Sequence, residues 1–148
     1  MPPLLLPYSQ CKVCTSLVFY LLIFIMQQKL LLIVEDNPLL VGMYRSAFEK
    51  EDLNVIIAYN GQDGLAEIKK NKPNVVLLDI LMPDITGIEV LKKIRADKSL
   101  DNIKVVVLTI VGDDKTKKEA KELGVLDYLI KSEVELSEIV ERVKSHLG

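Results

Sequence analysis

Four apolar runs in this chain each stop at polar residues with chemistry to offer. Leu30–Val34 stops at Glu35-Asp36, and Val75–Leu78 at Asp79. Val105–Leu108 stops at Thr109, and Tyr128–Ile130 at Lys131. The Val75–Leu78 run is the most apolar stretch of the globular part. A carboxylate directly behind it is costly to place without a partner or a task. If the runs are parallel strands of one sheet, three carboxylates, one hydroxyl and one ammonium converge at one edge. Crowded carboxylates repel, and one of them is pushed toward protonation. A divalent cation removes that repulsion. All the ligands on offer are oxygens, with no His or Cys, so the ion is a hard one. Mg²⁺, keeping several waters, is expected. Lys131 adds compact positive charge opposite the metal. Cation plus ammonium around one carboxylate suits receipt of a phosphoryl group, with Asp79 attacking in line while the equatorial oxygens are neutralised. Thr109 can donate its hydroxyl to a phosphoryl oxygen. Taken singly, Asp79 is a cap, Lys131 a solvated charge and Thr109 an ordinary strand residue. Their shared edge is what argues for chemistry.

The elements that must position these residues alternate from Lys29 onward. Strands are predicted at Leu30–Val34, Asn54–Ala58, Val75–Leu78, Ile103–Leu108 and Val125–Ile130. Pro38 opens the first helix of this series, where Pro is tolerated in the first turn. Leu39, Leu40, Met43, Ala47 and Phe48 recur at helical spacing through Glu49. Asn60-Gly61 reads as a turn before a short helix from Gly64 to Lys70. Asn71-Lys72-Pro73 punctuates before the third strand. Pro83 to Gly87 is a loop, and Ile88, Leu91 and Ile94 mark a helix to about Ala96. Gly112-Asp113-Asp114 leads into a Lys-rich helix that stops at Leu123-Gly124, with Gly as the C-terminal signal. Ser132 and Glu135 fit a capping box for the last helix, whose apolar positions include Val134, Ile139, Val140, Val143 and Leu147. Short apolar strands separated by helices imply an α/β fold with a parallel sheet covered on both faces. Ligands of such sheets sit beyond the carboxyl ends of the strands. That rule independently places Glu35, Asp36, Asp79, Thr109 and Lys131 in one crevice.

Composition sets the outer limits. At 148 residues the chain is long enough for one domain with a full core. A net charge of −2, 5% aromatic residues and no Trp argue against nucleic-acid binding. The single His146, near the C-terminus, reads as a solvated residue. Residues 1–28 form a hydrophobic N-terminal extension with one charge, Lys12, ahead of a domain over residues 29–148. The uncharged stretch Val13–Gln28 has 16 residues, against the roughly 20 that a membrane span needs. The preferred reading is a natural start at Met26, with the preceding residues a start-site artefact or a nonessential extension of a cytoplasmic protein. Membrane anchoring through residues 13–28 is the second choice. Cys11 and Cys14 form a C-x-x-C without a second pair and read as incidental thiols. The rest of the chain has no Cys, which suits a reducing cytosol.

Glu35-Asp36, Asp79, Thr109, Tyr128 and Lys131, in this order and spacing, resemble the receiver domain of bacterial response regulators. The likeness covers about Lys29 to Leu147. The segment Leu78-Asp79-Ile80-Leu81-Met82-Pro83-Asp84-Ile85-Thr86-Gly87 looks like that family's phosphorylation loop. The resemblance implies a flavodoxin-like, doubly wound sheet of strand order 2-1-3-4-5. It implies Asp79 as phosphoacceptor and Mg²⁺ held by Asp36, Asp79 and the backbone carbonyl of Leu81, with Glu35 acting mostly through water. It implies Lys131 on a phosphoryl oxygen, Thr109 as the switch hydroxyl and Tyr128 as the aromatic that follows it. The implied donor is a phosphohistidine on a sensor histidine kinase or histidine phosphotransfer protein. The implied output is a protein target on the face of the fourth helix, fifth strand and fifth helix of the domain. A monomer or weak dimer that promotes only its own phosphorylation and dephosphorylation is expected, acting as a stand-alone receiver.

Two positions depart from the family's habit. Ile110 follows Thr109 where a small residue is usual, and a bulky side chain there would shield an acyl phosphate. Ser132 follows Lys131 where the family has Pro after a cis bond, so this loop is trans or strained. A flavin binder of the same fold would want a Gly- and hydroxyl-rich loop, and Glu35-Asp36-Asn37 offers negative charge instead. A phosphatase with an Asp nucleophile would want a second Asp where Leu81 stands. A receiver used only for protein contacts, without phosphorylation, is the third alternative. Lys115, Lys117, Lys118 and Lys121 read first as a solvated helix face and second as a contact surface for an acidic partner. Leu39, Leu40, Met43 and Tyr44 could meet a kinase helix in part, though most are expected in the core.

Overall fold

The structure, a computed structural model, describes residues 12–148. The first helix, α1, is Lys12–Gln27. The strands are β1 (Leu30–Val34), β2 (Asn54–Ala58), β3 (Val75–Leu78), β4 (Lys104–Thr109) and β5 (Asp127–Ile130). The helices between and after them are α2 (Pro38–Glu49), α3 (Gly61–Asn71), α4 (Gly87–Ala96), α5 (Asp114–Glu122) and α6 (Leu136–Leu147). All five strands are parallel, in the order β2-β1-β3-β4-β5. This is the flavodoxin-like order expected. It reverses direction between β1 and β3, which opens a crevice at their carboxyl ends.

Alternation along the central strands splits the interior in two. Leu32, Val34, Val76, Leu78, Val105 and Val107 face α3, α4 and α5. Leu31, Ile33, Val75, Leu77, Val106 and Leu108 face α2 and α6. Both faces of β1, β3 and β4 are therefore apolar, as continuous hydrophobic runs require.

Several local expectations are corrected. Asn60 is not in a turn before the helix. It is the N-cap of α3, accepting from the Asp63 N–H at 2.8 Å, so the helix starts at Gly61 rather than Gly64. Ser132 and Glu135 form no capping box. The backbone turns at Lys131–Glu133, with the Glu133 N–H donating to the Ile130 carbonyl, and α6 starts at Leu136 behind Glu135 without a side-chain cap. The capping box lies elsewhere, in α4, where Thr86 and Glu89 satisfy each other's backbone N–H groups. In α2 the buried positions are Val41, Tyr44 and Phe48, so Leu39 (79% exposed) and Met43 (52%) face solvent. That helix has more apolar residues than one stripe can bury, and the surplus lies at its site end. His146 is half-buried, with Nε2 3.5 Å from Asp127, rather than solvated. Gly124 behaves as expected, with φ +73° just beyond α5.

α1 contributes no described side chain to either core cluster. Leu17, Val18, Phe19, Tyr20, Leu21 and Leu22 are all more than half exposed. No helix among the described residues is long and apolar enough to cross a membrane. Cys11, half of the C-x-x-C pair, lies outside the described residues.

Candidate functional site

Register decides how the strand-end residues meet. Val34 pairs with Leu78, so Glu35 and Asp79 leave adjacent strands side by side. The Asp79 N–H still donates to the Val34 carbonyl at 3.0 Å, and the Glu35 N–H to the Ala58 carbonyl at 3.1 Å. Lys131 comes from farther away, because β4 lies between β3 and β5. Two strand spacings amount to about 10 Å, a gap that only a long side chain closes. Thr109 pairs with Ile130, and the Lys131 N–H donates to the Thr109 carbonyl at 2.8 Å. This bond aims Lys131 back across the top of β4. The Lys131–Ser132 peptide is trans, since no cis bond occurs among the described residues.

The Lys131 ammonium bonds both acids. Nζ lies 2.7 Å from Asp79 Oδ2 and 2.5 Å from Glu35 Oε2. All three side chains are largely withdrawn from water. Glu35, Asp36 and Asp79 each offer a carboxylate oxygen within 4.8 Å of the others, with Asp36 exposed. This hard, all-oxygen cluster could hold a divalent ion. Burial pushes the Glu35 carboxyl up, with Lys131 pulling the other way. Burial also works against the charged form of Lys131, but its bonds to Asp79 and Glu35 outweigh that and raise its pKa. The site thus keeps one permanent cation against an excess of carboxylates, and a second cation is what would complete it.

The remaining expected residues occupy a second layer. Thr109 is fully buried, and its hydroxyl accepts from the Val111 N–H at 3.3 Å. The Tyr128 hydroxyl donates to the Val111 carbonyl at 2.8 Å. Val111 therefore links the two side chains, which do not touch through a hydrogen bond of their own. The Leu81 N–H donates to Asp79 Oδ1 at 3.1 Å, which turns the chain directly behind the acid. The side chains of Leu81 (48% exposed) and Ile110 (65% exposed) stand in solvent on either side of the site.

Two residues of the phosphorylation-loop segment position the site, in roles that the sequence alone did not assign. Gly87 is one. A Cβ there would sit 2.3 Å from the Asp79 carbonyl oxygen, so only glycine lets α4 start this close to the Asp79 loop. Asp84 is the other. Its carboxylate accepts from the N–H groups of Gly61 (2.9 Å) and Gln62 (2.8 Å), pinning the loop after β3 to the N-terminus of α3. Desolvation pushes the Asp84 carboxyl up, but those backbone bonds outweigh it and hold it below the ordinary 3.8. A depressed carboxyl adds stability above its unfolded pKa and loses it as pH falls through the folded one. Asp84→Ala should therefore lower stability by about 1 kcal/mol near neutrality. Urea titrations should show that deficit closing as the pH falls below 3.8. A deficit that persists in acid would mean that the side chain acts by packing alone.

The sequence pattern of the response regulator receiver domain matches residues 31–144, most of the chain. The chain belongs to this family. The receiver is 34% identical over 122 residues to sporulation initiation phosphotransferase F of Bacillus subtilis, covering 82% of this chain and 96% of that one. It is 35% identical over 101 residues to protein PilH of Pseudomonas aeruginosa, covering 68% of this chain and 84% of that one. Among solved structures, it resembles a CheY-like receiver domain protein from Methanospirillum hungatei. That match has a TM-score of 0.76 and 27% identity, and covers 82% of this chain and 94% of that one.

Proposed function

We propose that this receiver is a phosphorylation-controlled binding module whose phosphoacceptor is Asp79. The observation that carries the reading is the Lys131 ammonium 2.7 Å from Asp79 Oδ2, inside a cluster of three carboxylates. The donor is the phosphohistidine of a sensor histidine kinase or a histidine phosphotransfer protein. An Asp79 carboxylate oxygen attacks phosphorus, the P–N bond breaks, and the imidazole leaves with its electron pair. The product is an aspartyl phosphate. Lys131 moves from a carboxylate oxygen to a phosphoryl oxygen and neutralises it. Asp36, Asp79 and the Leu81 carbonyl would hold Mg²⁺, with Glu35 behind a water. That ion would supply further charge neutralisation at the phosphoryl oxygens.

The new group carries a charge of about −1.5 to −2, which draws the Thr109 hydroxyl and Lys131 inward. Thr109 gives up the Val111 N–H, and Tyr128 follows through its own bond to Val111. The change is read by a protein target on the face of α5, β5 and α6. The protein turns over no other substrate. Its partners are cytoplasmic proteins rather than nucleic acid or membrane, and it works as a monomer or weak dimer. A partner's docking helix near Asp79 would meet the exposed Leu39 and Met43.

Incubation with acetyl phosphate and Mg²⁺ should add about 80 Da, one phosphoryl group, to the intact mass. Chelation of the metal should suppress it. No adduct from a small donor or a kinase would leave a receiver used for contacts alone. Ile110→Ala should uncover the acyl phosphate and speed its hydrolysis about threefold, less than 1 kcal/mol of barrier. The half-life of the adduct measures this, and an unchanged half-life would remove Ile110 from the kinetics.

A further inference from the structure

The end of the sheet opposite Asp79 carries a pocket of ≈ 370 Å³ at the amino ends of β1, β3 and β4. Lys29 stands one residue before β1, Lys72 three residues before β3, and Lys104 opens β4. The three strands are parallel neighbours, so the three lysines share one edge. Asn74, Ser99 and Asn102 line the pocket with them, and no acid does. That is a local excess of cations in a chain of net charge −2. Lysines beside a helix end ordinarily offset the helix dipole. Lys69 and Lys70, in the last turn of α3, already do that. Neither Lys29 nor Lys72 has an ion pair among the described residues. Lys104 donates to the His146 carbonyl at 2.6 Å and keeps N–H groups to spare. Asp97, the acid whose carboxyl Lys72 helps to hold down, is occupied by the Ser99 N–H and hydroxyl at 2.9 and 2.7 Å.

Lys72 caps α3 at φ +45°, the left-handed region that Gly or Asn ordinarily fills behind a helix. The turn would form more easily with Gly, so the fold gains nothing from an ammonium there. Asn74 Oδ1 accepts from the Leu30 N–H at 2.7 Å, which leaves the NH₂ group of that amide as its available end. We infer that this pocket binds a small soluble anion carrying two or more phosphate groups. Three ammonium groups call for several negative charges, and lysine meets phosphate as a point charge. The lining has no arginine fork to select a planar carboxylate. It has no aromatic ring on which a base could stack, so phosphate rather than nucleobase is what it recognises. A pocket of this size holds a small molecule rather than a polymer. The five residues of β1 put about 16 Å between this pocket and the carboxylate cluster. The inference therefore stands apart from the phosphoacceptor reading.

The test titrates inorganic tripolyphosphate into the full chain, labelled for amide NMR, without added metal. The amides of Lys29, Lys72, Asn74, Asn102 and Lys104 should shift, and tripolyphosphate should bind about tenfold more tightly than inorganic phosphate. The Lys29→Gln/Lys104→Gln double variant should lose about tenfold in affinity. Lys72→Gly should lose about threefold. Its urea midpoint should nevertheless stay level or rise, because Gly takes φ +45° without strain. That pairing separates a lysine that holds a ligand from one that merely serves the fold. Full affinity in both variants, equal binding of the two anions, or shifts confined to Asp79 and Lys131 would overturn the inference. Vesicles of phosphatidic acid in phosphatidylcholine test the other source of such phosphate. Capture by them through these lysines, with no binding of tripolyphosphate, would replace the soluble anion by a lipid headgroup and sink the proposal. Tighter binding of single-stranded poly(U) RNA through the same lysines would also sink it.

Discussion

Asp79→Asn is expected to take no phosphoryl group while folding as well as the parent chain. The amide keeps the shape of the carboxylate and still offers an oxygen to the Leu81 N–H, which bonds Asp79 Oδ1 at 3.1 Å. It has no anionic oxygen with which to attack phosphorus. The charge balance favours the variant when metal is absent. Glu35 keeps Lys131 at 2.5 Å, and one of three mutually repelling carboxylates is gone. Metal-free stability should therefore stay within about 1 kcal/mol of the parent. The response to Mg²⁺ should shrink, because stabilisation by an ion follows its affinity for the folded site and two carboxylates bind more weakly than three. Intact mass after acetyl phosphate and urea titration with and without Mg²⁺ measure both halves. An adduct that persists in Asp79→Asn would move the phosphoacceptor to another residue.

Lys131→Met should do the opposite to stability. Methionine has nearly the reach of lysine but removes both the charge and the N–H donors that Lys131 gives to Glu35 and Asp79. Glu35 and Asp79, with side chains 4% and 5% exposed, then face each other without a cation. Removing one partner of a buried pair costs about 3–5 kcal/mol. Proton uptake at Glu35, whose carboxyl burial already pushes up, relieves part of this. A loss of about 3 kcal/mol without metal is expected. Mg²⁺ should restore more stability to this variant than to the parent, because the ion takes over the neutralising task. Phosphorylation by acetyl phosphate should still fall at least about tenfold, as the phosphoryl oxygens lose a fixed positive partner. A variant as stable as the parent in chelator would show that Lys131 is not what makes the buried acids tolerable.

These opposite outcomes come from one arrangement, in which a single ammonium serves two buried carboxylates. Its parts were visible along the chain. Apolar runs ending at Glu35, Asp79, Thr109 and Lys131 point to one sheet edge, because a parallel sheet puts all strand ends of one sense together. The two-sided core follows from the same runs, whereas the strand order was implied by the family resemblance alone. The helix phases were harder to see. In α2 both the buried stripe and the exposed one are apolar, so Leu39 and Met43 could not be told from Val41 and Phe48 by pattern. At the start of α6, Ser132 and Glu135 had the right spacing for a cap, but the turn after Lys131 takes the backbone elsewhere.

The sequence by itself determined the residue types, their order, and the chemistry that three carboxylates and an ammonium can share. Those follow from local apolar periodicity and from the ionic character of the side chains. Tertiary structure alone decided which atoms meet. Lys131 reaches over β4 to Asp79 because the register of β4 with β5 and the Thr109 carbonyl aim it there. Asp84 caps a helix 22 residues earlier in the chain. Gly87 is required only because the Asp79 carbonyl lies 2.3 Å from where its Cβ would be. Such contacts depend on how distant segments pack, and side-chain spacing along one strand or helix holds no record of them.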